Sequence, residues 1–171
     1  MQNRQKKIKK LAFLALCASV ALLLSYVEAL IPPIYAAVPG IKLGLPNIAI
    51  IFALYRFGMR EAVSVSFVRL IIVALLFGNV MTFAYSLAGA ALSILVMFLL
   101  KKADILSTVG VSVAGGVSHN LGQILVAMLL LGTAEIGYYM IILAVTGTIS
   151  GIFVGLCGNF MIKRLSKYKL L

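Results

Sequence analysis

The chain has 171 residues, of which 63% are hydrophobic and 11% charged, and its formal net charge is +11. A soluble domain is nearer half apolar and a quarter charged, so this composition excludes a single water-solvated globule and points to a surface that meets lipid. The basic balance does not indicate nucleic acid, because the charges cluster at the ends of apolar runs, where they act as topology signals.

About 20 apolar residues cross a bilayer, so the length allows roughly six spans and leaves no room for a second, soluble domain. Residues 1–171 read as one membrane domain. The first stretch, 9–31, follows the basic "RQKKIKK". With a small residue at Ala29 it resembles a signal peptide, but it is long enough to span and further spans follow, so a retained helix is expected. It carries small residues at four-residue spacing, Ala15 with Ser19 and Cys17 with Ala21, and ends near Glu28.

"LIPPIYAAVPGIKLGLPN" comes next, with four prolines and Lys42. Proline stiffens the chain and cannot continue a helix, so an ordered cap over the bundle is expected, with Pro46 in the first turn of the second helix. That helix covers 45–58, with Lys42 and Asn47 flanking its entry. A tight "RFGMRE" turn leads to the third, 61–78, which has Arg69 near its middle and Asn79 at its end. The fourth covers 80–100, the fifth 106–132 and the sixth 136–161. Lys101/Lys102 follow the fourth and "KRLSKYK" follows the sixth. The positive-inside rule then sets both termini in the cytoplasm, with Lys42 and Glu135 outside. Tyr138 and Tyr139 suit interfacial anchoring.

Two features admit a structural and a functional reading. Gly147, Gly151 and Gly155 lie on one face of the last helix, and glycines so spaced let another backbone approach closely. They serve either packing within the bundle or, with the small stripe of the first helix, docking of a partner. In the fifth helix "GGVSHNLGQ" brings His119, Asn120 and Gln123 into an apolar run. They either hydrogen-bond between helices or, with Arg69, line a solute pocket, since charges inside a membrane usually face a cavity or a partner.

Enzymatic chemistry is not expected. Both cysteines sit in apolar runs, and the single histidine has no ligand set around it, so neither metal nor cofactor is indicated. There is no P-loop. Asp104 is the only aspartate, which leaves aspartate-rich magnesium sites unavailable, and Glu28, Glu61 and Glu135 are scattered.

"PGIKLGLPNIAIIFALYRFG", "RLIIVALLFG", "YSLAGAALSILVM" and "GGVSHNLGQILVA", in this order, resemble the membrane family called heptaprenyl diphosphate synthase component I, or Gx transporter. The family more often has Ala-Asn where this chain has Pro46-Asn47. That family is in turn similar to the S components of energy-coupling factor (ECF) transporters. The resemblance implies a multi-pass cell-membrane protein, an S-component-like bundle of six transmembrane helices. Such a bundle takes up a small solute, energised by a T component and cytoplasmic ATPases on other chains. It also implies a lid at 31–44 and docking through Ala15, Ser19 and Ala21. The expected solute-binding set is Glu28, Lys42, Asn47, Arg69, Asn79, His119, Asn120 and Gln123. The alternative is a non-catalytic membrane component of a heptaprenyl diphosphate synthase.

Overall fold

Arg, Lys and Gln are good helix formers, and the basic leader is helical together with the apolar run behind it: α1 spans Gln2–Leu30. The computed structural model describes residues 2–30 and 44–167. Of the expected proline-rich cap and lid, residues 31–43, Lys42 included, lie outside the described residues. Five more helices follow, α2 (Asn47–Arg56), α3 (Met59–Phe77), α4 (Val80–Ala103), α5 (Thr108–Leu131) and α6 (Met140–Ser166), with a 3-10 turn at Ala134–Tyr139. The described residues are all-α.

Local chemistry sets the helix ends. Gly58, at φ 120°, makes the corner between α2 and α3, a conformation that favours glycine. Asn79 accepts from the Thr82 backbone N–H, and the Thr82 hydroxyl accepts from the Asn79 N–H, a capping box that starts α4. Ser107 caps α5 through the Gly110 N–H, and Gly132, in the left-handed region, ends it.

Four segments are long and apolar enough to cross a membrane: Arg4–Leu30, Val80–Ala103, Thr108–Leu131 and Ala134–Ser166. Large apolar side chains point outward, Leu75 and Leu129 80% exposed and Val80 82%. In water such a surface would drive association; in lipid it is the expected exterior. This is a multi-pass membrane protein.

Two helices depart from the six-span expectation. At ten residues, α2 is about 15 Å long, roughly half the hydrocarbon thickness. Every residue from Ile48 to Leu54 is buried, so α2 is a core helix, apolar on all sides because protein surrounds it. The third helix has the length, but it carries Arg60, Glu61 and Arg69.

The first three helices pack on one another, α5 lies between α4 and α6, and the two groups join where α3 meets α4 and α2 meets α6. Glycines set the close approaches. A Cβ on Gly158 would come 2.6 Å from Ile51 of α2. Gly147, Gly151 and Gly155 are buried against α5, where added Cβ atoms would meet Gly116, Val113 and Val109. The glycine stripe of the last helix therefore serves packing against α5, the first of its two expected roles. Ala21 is likewise buried, at 0% exposure, whereas Ala15 and Ser19 stay exposed on α1.

The basic side chains gather at one end. Lys10 of α1 pairs with Glu61 of α3. The Lys101 ammonium donates to the Leu54 carbonyl at 2.7 Å and lies 5.0 Å from the Tyr55 ring centre. It thereby satisfies a last-turn carbonyl of α2.

A Cβ at Gly151 would stand 2.6 Å from the Val113 Cα, so Gly151→Leu should force α5 and α6 apart at a cost of about 1–3 kcal/mol or more. Ser19→Leu should leave stability nearly unchanged. Melting curves of the purified variants check this; an unaltered Gly151→Leu melting temperature would refute the packing assignment.

Candidate functional site

The rotation of α5 positions the polar residues. At 100° per residue, Gly115 and Gly122 point about the same way, His119 and Gln123 lie about 40° and 80° round from Gly115, and Gly116 and Asn120 about 100° and 140°. Gly115 and Gly122 face α4, where added Cβ atoms would meet Met97 and Ala88. Gly116 faces α6, where a Cβ would sit 2.5 Å from the Gly147 carbonyl oxygen. With both contact faces fixed, the sector between them carries His119 and Gln123 inward.

That sector opens on a cavity of about 70 Å³. Glu28, Asn47, Arg69, His119, Asn120 and Gln123 all line it, brought from α1, α2, α3 and α5. Ser25, Ser86 and Ser150 complete its polar wall, and Leu70, Val73 and Phe77 its apolar one. By the water-sized volume each group needs, it holds roughly five or six groups.

Arg69 is only 9% exposed, and its Nε has no hydrogen-bond partner. A buried donor without an acceptor is costly, and on a guanidinium it leaves the side-on edge open. Glu28, also 9% exposed, is the charge that acts on Arg69. Its carboxylate accepts from the Gly44 backbone N–H, which ties the end of α1 to the approach of α2. Gly44 stands at φ 69°, where glycine fits best.

Not every expected residue joins the cavity. Asn79 is exposed and spends its side chain on the α4 cap, a role its place before Val80, three residues from Thr82, already indicated. Lys42 lies outside the described residues. Asn120 has a structural bond as well: its amide donates to the Leu143 carbonyl of α6 at 2.6 Å. The serines escaped the sequence reading because intrahelical serine usually bonds the preceding turn, as Ser25 does to the Ala21 carbonyl at 2.8 Å. The one available signal was Ser25 three residues before Glu28, on the same helix face.

Among the described residues, no group of three His, Cys, Asp or Glu could hold a metal ion. The carboxylates stand on separate elements, Glu28 on α1, Glu61 on α3, Asp104 after α4 and Glu135 in the 3-10 turn.

Asn120→Ala should cost about 0.5–1.5 kcal/mol by removing the bond between α5 and α6. Unfolding of the detergent-solubilised protein checks this, and an unchanged stability would leave that bond without weight.

A family model for heptaprenyl diphosphate synthase component I matches residues 17–161 of the chain. No curated protein and no solved structure gives a significant match.

Proposed function

The chain belongs to the heptaprenyl diphosphate synthase component I family, and we propose that it is a solute-binding membrane subunit. On this reading it captures a small polar solute from outside the cell and passes it inward with ATPases carried by other chains, in the manner of ECF S components. One observation carries the reading: polar side chains of all six helices converge on one cavity, with Arg69 buried there and its Nε unpartnered. Intramembrane charges that serve only packing are paired off, whereas an open guanidinium edge asks for a ligand.

The cavity's position agrees with this role. It lies toward the end of the bundle where α1 finishes and α2 begins, away from Lys10, Lys101 and Lys163. The positive-inside rule makes the basic end cytoplasmic, so the cavity faces outward. About 70 Å³ suits a small molecule and not a long isoprenoid chain.

The family's description favours a second reading, a membrane partner that holds a prenyl diphosphate synthase at the bilayer. The exposed Ala15 and Ser19 side of α1 is the surface it would use. The carboxylates, dispersed over separate elements, argue against diphosphate chemistry on this chain itself, which needs clustered acidic ligands for magnesium.

Mass spectrometry of gently purified protein discriminates the readings: a retained small polar molecule supports transport, a retained soluble synthase the alternative. Arg69→Gln, His119→Ala and Gln123→Ala should each weaken solute affinity about threefold to tenfold or more, a lost hydrogen bond being worth about 0.5–1.5 kcal/mol. Their melting temperatures should fall less in proportion. Unchanged affinity in all three would remove the cavity from the function. For topology, a cysteine at position 102, with Cys17 and Cys157 replaced, should resist impermeant thiol reagent added to intact cells. Labelling there would reverse the orientation.

A further inference from the structure

A separate, smaller cavity lies where α2, α4, α5 and α6 meet. Its volume is about 20 Å³, and each of the four helices supplies one polar side chain to its wall: Asn47, Ser93, Ser112 and Ser150. Ile51, Met97 and Val154 close it with apolar surface, and among the described residues no charged one lines it.

Glycines fix the directions of two of these hydroxyls. A Cβ on Gly115 would stand 3.2 Å from the Ser93 Oγ, so that hydroxyl of α4 faces α5. A Cβ on Gly155 would stand 2.9 Å from the Ser112 Cβ, so the Ser112 side chain lies against α6. Both serines are 4% exposed, and neither hydroxyl has a hydrogen-bond partner among the described residues. Neither is walled in as the Ser66 hydroxyl is, and the cavity is the space they share. Leaving two buried hydroxyls unbonded would be costly.

Size and chemistry select the occupant. A water molecule needs about 10–15 Å³ of such space and two to four polar partners, so the cavity takes one water and little more. Hydroxyls and the Asn47 amide each both donate and accept, which suits a ligand that does the same. The Ser150 hydroxyl already donates to the Gly147 carbonyl at 3.3 Å and keeps acceptor capacity for another donor. A cation would be buried without a carboxylate to neutralise it, which is expensive.

We propose that this cavity is a structural water site, in which one water joins Asn47 of α2 to Ser93, Ser112 and Ser150. Through it the core helix α2, otherwise held by apolar contacts and backbone ends, gains a directional tie to the α4–α5–α6 group. The proposal stands independently of the solute-binding reading, because Ser93 and Ser112 do not line the solute cavity.

The test combines a structure of the full chain in nanodiscs, at a resolution that shows ordered solvent, with melting curves. One water within hydrogen-bond distance of at least three of the four side chains is expected. An empty site, with buried waters resolved elsewhere in the bundle, would overturn the proposal. Ser93→Ala and Ser112→Ala should each lower the melting temperature by about 2–4 °C. The double variant should lose clearly less than the sum, because the two hydroxyls serve one water. Additive losses, or a solvent peak that persists unchanged in the double variant, would show that these serines do not hold it. Exchanging sodium and potassium for choline should leave the wild-type melting temperature unchanged. A drop that Ser112→Ala abolishes would make the occupant a cation, and the proposal would fall.

Discussion

Everything in this bundle depends on how closely the backbone of α5 lies against its two neighbours. Association of helices in lipid gains nothing from the hydrophobic effect, so packing and hydrogen bonds have to hold it. Here glycines remove the side chains that would keep the backbones apart, Gly89, Gly115 and Gly122 on the α4 side and Gly116, Gly147, Gly151 and Gly155 on the α6 side. Contacts this tight leave α5 no freedom to rotate, and interiors packed this closely do not deform gradually. The direction of His119 and Gln123 is thus a by-product of where the glycines are. Asn120, bonded to the Leu143 carbonyl, locks the same rotation from the other side.

Much of this was legible in the sequence, and the failures have physical causes. Helix count and approximate limits follow from hydropathy, because lipid tolerates nothing but satisfied backbone. Polar residues interrupting an apolar run mark an interior, and Glu28, Asn47, Arg69, His119, Asn120 and Gln123 line one cavity. What hydropathy cannot tell is whether an apolar helix meets lipid or protein. The burial of α2 was therefore invisible, whereas the four-residue spacing of the α6 glycines already offered packing within the bundle as one of two roles. Asn79 carries a different signal: its polarity suggests a site, but its place before Val80 and three residues from Thr82 marks the helix cap it forms. The serines of the cavity wall were silent, since a hydroxyl that bonds its own helix gives no pattern.

The two ends of the molecule are built on different principles. At the basic end, Lys10 with Glu61 and Lys101 with the Leu54 carbonyl join helices pairwise, and both of these ammonium groups find an acceptor. At the cavity end, Arg69 keeps an unsatisfied donor and the Glu28 carboxylate spans two elements. Well-packed structure concedes such incompleteness where a site needs it. The concession at the cavity end is offset by the close contacts of α5 with α4 and α6.

The shortness of α2 has a consequence for how the protein is made. A ten-residue segment cannot partition into the bilayer alone, and α3 carries an arginine whose lone insertion costs about 2.5–3.5 kcal/mol. On these costs, α2 and α3 are expected to enter the bilayer together, as a pair bent at Gly58. Even then Ile51 has no seat until Gly158 of α6 has been synthesised. The innermost helix is the second made, and it settles only when the last arrives.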